Sequence, residues 1–385
     1  MKIPLSVTLD PHKANVGEQI AALPGSSGVY VLGSAIQPTG SSHLHLGWSA
    51  NLRKRLTRLL VSPYQGPDSP VGRVRANLAR IARIECWATG SKLESSLLMY
   101  ELAKSHFPDG YVKRLRLRMP WFVGLTGSDP FPRVVVANRL SRNENEFFGP
   151  FPSRDLAQQY EQELAGLFQL RRCVERLAPD PTHPGCIYGE INQCLRPCQC
   201  AVTTEEYATE VTGAAEFLST NGKSTLSVLS AARDRACEET DFEQAAYIHK
   251  RIEKVNAAAA ARDQVIAEVQ QFNGVALTRA VQSRQFRLWP MLGGLWQEPI
   301  TLDFSAAEAR TKSLDQELRE QISESLKNVN TQGKRIEDLA IFSRWYFSSW
   351  RDGHWYGFCT LADLNYRRLV RDISKMAQTG SGPPV

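Results

Sequence analysis

Five cysteines crowd into the 28 residues from Cys173 to Cys200: Cys173, Cys186, Cys194, Cys198 and Cys200. Cys86, Cys237 and Cys359 stand apart. Thiolates on irregular backbone, two of them four residues apart with no His partner following, suit zinc or an iron–sulfur cluster better than disulfides. Spacing alone does not choose between the two metals, and buried free thiols are the plainer alternative. A second constellation lies in HLHLGWSANLRKRL, from His43 to Leu56. It reads as a short apolar strand, a tight turn at Gly47 and a basic helix bearing Arg53, Lys54, Arg55 and Arg58, which together can hold a phosphate.

The elements that must carry these groups follow from periodicity. Residues 24–35 and 43–47 are strand-like around a Gly/Pro/Ser-rich turn, which predicts a hairpin. Residues 49–61 place Leu52, Leu56, Leu59 and Leu60 on one side of an amphipathic helix. IARIECWA, residues 81–88, predicts a third strand, and Leu93, Leu97, Leu98 and Leu102 give residues 91–106 a helical face that stops near Pro108 and Gly110. Next come two short strands, WFVGLT and PRVVVANRL, then a loop FFGPFPSR and a helix over residues 155–170. The sequence is helical from Thr203 for some 65 residues, with a break at residues 219–223. After Gln271 the pattern changes to paired strands around a Gly-Gly turn, a long polar helix and a Trp-rich segment. The fold class is α+β multidomain. The domains are predicted at 15–112, 113–202 (a linker region with the cysteines), 203–268 (helical) and 269–376, with a disordered tail at 377–385.

Composition bounds the function. Of 385 residues, 42% are hydrophobic and 22% charged, as in ordinary globular proteins. No run reaches the roughly 18 apolar residues of a membrane span, and MKIPLSVTLDPHK lacks a signal-peptide core, so a cytoplasmic protein with no membrane partner is expected. The net charge of +6 is uneven, since residues 1–120 hold 16 Lys and Arg against 7 Asp and Glu. That asymmetry suggests a polyanion partner, with a solvated basic surface as the alternative.

Four stretches resemble the N-terminal portion of the UvrC family, including its shorter Cho-type relatives, over about residues 20–260. PGSSGVYVL with HLHLGWSANLRKRL resembles the GIY-YIG nuclease core. ENEFFGPFPSRDLAQQYEQELAGLFQLRRC resembles the segment that follows it. CIYGEINQCLRPC resembles the iron–sulfur segment, and LSAARDRACEETDFEQAAYIHKRIEKV the UVR motif, a short helical hairpin. The order of all four is that of the family.

The resemblance implies roles residue by residue. Tyr30, His45 and Arg55 fall on catalytic positions of the nuclease, with Asn51, Arg53, Lys54 and Arg58 on its DNA-binding helix. Cys173, Cys186, Cys194 and Cys198, separated by 12, 7 and 3 residues, match the four ligands of a [4Fe–4S] cluster, and zinc stays as the alternative. Phe242, Ala245 and Ala246 fall on the hairpin that docks a UvrB-like protein, or else form a plain helix pair within this chain. Asp241 and Gln244 resemble a capping box. The nuclease core also departs from the family: Trp48 stands at a lysine position, and Met99 at the glutamate that binds a divalent metal such as Mg²⁺ or Mn²⁺. Methionine is a poor ligand for a hard cation. Glu94 and Glu101 lie about 140° and 200° around a helix from it. After Gln271 no set of spaced aspartates matches the second nuclease of full-length UvrC. Two functions remain open: a UvrC/Cho-like excinuclease of nucleotide excision repair, or a pseudonuclease that binds DNA and a UvrB-like partner without cutting.

Overall fold

The computed structural model describes residues 7–10, 15–23, 25–34, 45–60, 81–127, 129–140, 146–304, 313–325 and 333–378. The chain forms two compact units, Met1–Arg118 with Asn273–Val385, and Met119–Phe272. The Gly/Pro/Ser-rich turn, His43 and the tail from Thr379 lie outside the described residues.

The first unit opens with β1 (Val7–Leu9), α1 (Val16–Ala21), β2 (Gly28–Ser34), β3 (His45–Ser49), α2 (Leu52–Leu60), β4 (Ile81–Ala88), α3 (Lys92–His106) and α4 (Tyr111–Arg114). The sheet order is β1-β4-β2-β3, antiparallel throughout. GVYVL is buried on both faces because a strand points alternate side chains to opposite sides. Tyr30 and Leu32 pack with Leu52, Leu56 and Leu59 of α2. Val29 and Val31 pack with Trp87 and with Leu98 and Leu102 of α3. The sheet has four strands where the sequence predicts three. The extra one, β1, is three residues long and has only one buried side chain, Leu9, so it carries no readable alternation.

The second unit contains β5 (Trp121–Leu125), β6 (Val134–Ala137), β7 (Phe147–Phe151), α5 (Arg154–Leu167), α6 (Ile187–Glu190), α7 (Thr204–Thr220), α8 (Lys223–Glu238), α9 (Phe242–Ala260) and β8 (Ala267–Glu268). Its sheet runs β6-β5-β7-β8. FFGPF, read from sequence as loop, is strand β7 with all five residues buried. A fully buried strand shows no polar alternation, and its Gly-Pro pair reads as a turn signal. The Asn221–Gly222 break between α7 and α8 falls where predicted, both residues in left-handed backbone.

The chain then returns to the first unit with β9 (Gly274–Arg279), β10 (Gln285–Leu292), β11 (Leu295–Trp296), β12 (Ile300–Asp303), α10 (Leu314–Ser325), α11 (Arg335–Tyr346), β13 (Gly353–Gly357) and α12 (Tyr366–Gln378). Strands β11-β10-β9-β13 form the sheet, with β12 on β10. Gly293 and Gly294 turn β10 into β11 at φ of 52° and 72°, which glycine adopts without a Cβ clash. Most of the Trp-rich segment is packing: Trp289, Trp296 and Trp345 are buried.

Polar contacts seat this C-terminal piece on α3. Arg287 reaches Glu94 at 2.5 Å. The Glu337 carboxylate accepts from Tyr100 at 2.6 Å and from Tyr111 at 2.8 Å. Asp352 accepts from the Lys92 amide at 2.5 Å and from the Trp345 indole at 3.1 Å. These donors offset part of the desolvation cost of the buried Glu94 and Glu337 carboxylates. The whole is an α+β protein of more than one compact unit. Among the described residues, no helix is long and apolar enough to cross a membrane.

Candidate nucleic-acid interface and cysteine site

The β2–β3 register places Tyr30 opposite Gly47 and Leu32 opposite His45, so Tyr30 and His45 share one face. Their rings lie 6.0 Å apart between centroids. Arg55, one turn into α2, donates its Nε to the Tyr30 hydroxyl at 3.1 Å. Gly47 is required here, because a Cβ on it would stand 2.4 Å from the Tyr30 ring. The three residues that sequence assigns to catalysis are thus brought together. Burial lowers the pKa of His45, and the positive charges of Arg55 and Arg114 lower it further. A neutral imidazole beside a guanidinium can accept a proton near neutral pH, and the guanidinium can hold a phosphate oxygen.

Helix α2 presents its cations unevenly. Asn51 caps it, its side chain accepting from the Lys54 amide at 2.9 Å. Lys54 and Arg58 are exposed. Arg53 is tied down at its Nε, which donates to the Leu23 carbonyl at 2.8 Å, so it braces the fold as well as adding charge.

The opposite face of the same sheet carries the two departures. Trp48 pairs with Val29 across β2–β3 and is 42% exposed. Met99 packs with Leu46 against Val29, Val31, Trp87, Leu98 and Leu102. The nearby acid Glu94 is engaged elsewhere. The Glu94 carboxylate is buried between Arg287 and the Gly90 amide, 2.8 Å away, and burial raises its pKa in spite of Arg287. Residues with this chemistry do not fit a Mg²⁺ or Mn²⁺ ion at position 99.

In the second unit, Cys173, Cys186, Cys194 and Cys198 lie within one another's electrostatic reach. Burial raises the Cys194 pKa first, then the charges of Cys186, Cys173 and Cys198 add to it. Burial likewise raises Cys198, with Cys186 and Cys173 adding. Donors already face two of the sulfurs: the Arg196 amide at 3.4 Å from Cys194 and the Arg171 guanidinium at 3.5 Å from Cys173. Such N–H···S contacts favour thiolates. Cys200 is exposed in left-handed backbone. Among the described residues, no group of three or more His, Cys, Asp or Glu side chains is arranged to hold a metal ion. The donor set fits a four-thiolate group in kind.

Arg171, which the sequence reading did not single out, organises this segment. It is buried, pairs with Asp129, and donates to the carbonyls of Phe131 at 2.7 Å, Cys173 at 3.0 Å and Glu175 at 3.1 Å. The available signal was its place in LRRC, two residues before the first thiol.

Helices α8 and α9 form an antiparallel pair with Ala236, Ala245, Ile248 and Ile252 between them, so Ala245 faces inward. Asp241 caps α9, accepting from the Gln244 amide at 3.0 Å. Phe242 is 71% exposed at the start of α9, and Tyr247 and Ala246 also face out.

The family described as UvrC/Cho excinuclease, middle domain, matches residues 120–217. The chain is 28% identical over 252 residues to the UvrABC system protein C of Alcanivorax borkumensis, covering 64% of this chain and 40% of that one. It is 32% identical over 230 residues to that of Trichlorobacter lovleyi, covering 60% and 36%. For Paramagnetospirillum magneticum the figures are 29% over 265 residues, 69% and 41%. The chain therefore spans about two fifths of the length of these relatives. No solved structure matches it. Residues 120–217 thus match the UvrC/Cho excinuclease middle domain, and the chain is similar over about two thirds of its length to the UvrABC system protein C of these organisms.

Proposed function

We propose that this protein acts in nucleotide excision repair as a DNA-binding adaptor, gripping the strand through Arg55 and the basic helix α2 beside His45, with the buried Tyr30 aiming Arg55, and without cutting it. One observation carries the reading. Met99 packs into an apolar cluster where an incising relative needs a carboxylate, while the phosphate-gripping face of the sheet is intact. Hydrolysis needs positive charge on the phosphate, a base and an activated water. Arg55 and His45 would supply the first two, and Met99 offers no hard-cation ligand for the third.

Cys173, Cys186, Cys194 and Cys198 would hold a [4Fe–4S] cluster, with zinc as the alternative. Four thiols in mutual electrostatic reach on a segment of short turns, separated by 12, 7 and 3 residues in resemblance to the family's ligands, support that reading. The group would staple a segment of short turns that has little core of its own. The exposed Phe242 and Ala246 would dock a UvrB-like protein, with Ala245 shaping the hairpin from within.

A second reading, single-strand incision, is favoured by the neutral His45 beside Arg55. A nicking assay separates the two. A lesion-bearing duplex is incubated with Mg²⁺ or Mn²⁺, with and without UvrB, comparing the native chain and Arg55→Ala. Binding that weakens with salt and leaves the duplex intact is the expected result. Metal-dependent nicks lost in Arg55→Ala would establish incision instead.

A further inference from the structure

The departures at positions 48 and 99 meet in a cavity that the grip on DNA does not use. Within the first unit, β3, α3, the turn after α4 and the end of α11 enclose about 430 Å³, a size typical of small-ligand sites. Met99 forms part of its apolar wall, and the indoles of Trp48 and Trp350 line it. So do three cations, Lys92, Arg114 and Arg344, and among the described residues no aspartate or glutamate does.

The cations are held in place. The Arg114 guanidinium stacks 3.7 Å over Phe107. Arg344 donates to the Leu115 carbonyl at 3.3 Å, and the Lys92 ammonium sits 5.4 Å over the Trp350 ring. Each guanidinium has five donors, so these contacts leave capacity for an anion. A small inorganic anion would have no use for two indoles, and an aliphatic ligand none for three cations. A flat aromatic ring attached to a phosphate uses both. Trp48 and His45 belong to the same edge strand, β3, so the cavity and the Tyr30–His45–Arg55 group lie on the two faces of one sheet edge.

We propose that this cavity binds a single nucleotide, its base against Trp48 and Trp350 and its phosphate on Arg114 and Arg344. The inference rests on the DNA-binding reading for one of its two sources, an unpaired nucleotide turned out of a strand held by Arg55. The other source is a free mononucleotide. Extrusion costs least at a mismatched or damaged position, so the strand source would give the protein a preference for such sites.

The test uses the full chain and three probes: a matched duplex, a duplex with one unpaired 2-aminopurine, and free deoxyadenosine monophosphate. Fluorescence follows the 2-aminopurine and the protein's tryptophans, and gel shift follows the duplexes. Stacking on Trp48 should quench the unpaired 2-aminopurine on binding. In Trp48→Ala the quench should vanish and affinity for that duplex fall about tenfold, with matched-duplex affinity unchanged. Arg344→Ala should weaken the same probe while keeping the native melting temperature, since Arg344 is exposed. Matched-duplex binding without quenching, or equal quenching in Trp48→Ala, overturns the cavity and leaves DNA binding intact. Failure to bind either duplex overturns the DNA-binding reading; Trp48-dependent binding of the monophosphate would then support the cavity with a free nucleotide as its ligand. Silence with all three probes overturns both.

Discussion

Arg55 donates its Nε to the hydroxyl of Tyr30 across 3.1 Å, joining the basic helix to the central strand of the sheet. The guanidinium is thereby aimed while its other donors stay available for phosphate oxygens. Arg55→Ala should lower affinity for any duplex by about tenfold and reduce the slope of log affinity against log salt by about 1. Tyr30→Phe should leave the salt slope unchanged and weaken binding by a few-fold, since the charge remains and only its aim is lost. Salt titrations of gel-shift or anisotropy binding distinguish the two variants.

The four gathered thiols predict a graded response to substitution. Cys194→Ser should abolish iron and sulfide content and the visible absorption of anaerobically purified protein, whereas Cys200→Ser should retain both. Arg171→Met leaves Asp129 without its partner and frees three carbonyls, which should cost about 3 kcal/mol of stability even with all four cysteines present. Metal analysis together with thermal melts checks both statements.

On the helical pair, two neighbouring positions should separate binding from folding. Phe242 is exposed, so Phe242→Ala should change stability by less than about 0.5 kcal/mol while abolishing capture of a UvrB-like partner. Ala245 lies between α8 and α9, and Ala245→Leu should overpack the pair at a cost of about 1–3 kcal/mol. Partner pull-down and denaturant melts give opposite rankings for the two variants.

Asp338 should make the first unit sensitive to pH. Burial pushes its carboxyl up to about 7, with the charge of Glu101 adding to the effect, although the carboxylate accepts from the Trp296 amide at 3.1 Å. A carboxyl whose folded pKa lies above its unfolded value favours the folded state while protonated. That contribution is complete below about pH 4 and is lost as pH rises through 7. Asp338→Asn retains an acceptor for the amide and removes the ionisation. The difference in stability between pH 5 and pH 8 should therefore shrink in the variant by about 2 kcal/mol. Near-UV melts at the two pH values measure it.

Much of the α+β plan was legible because amphipathic periodicity is strong wherever one face is wet. The hairpin of Tyr30 and His45, the leucine stripe of α2, the cap of α9 and the break at Asn221 all follow from local rules. Where both faces are buried, as in FFGPF, alternation disappears and the Gly-Pro pair misleads. The gathering of Tyr30, His45 and Arg55 was legible only through the resemblance, since strand register is not written in any one stretch. Arg114, Arg344 and Trp350 were not legible as neighbours of Trp48. They lie 66 to 302 residues away along the chain, and long-range proximity leaves no local pattern.

The first unit is made of two stretches of chain separated by residues 119–272. On a ribosome, its opening sheet emerges more than 150 residues before Arg287, Glu337 and Asp352, the residues that answer Glu94, Tyr100 and the Lys92 amide. During that interval α3 has buried-type polar groups and an apolar flank with nothing to cover them. Residues 119–272, continuous in sequence, can close first. Translation order thus makes the first unit the last part of the protein to be completed, and a chain arrested after Phe272 would present a finished middle beside an incomplete first unit.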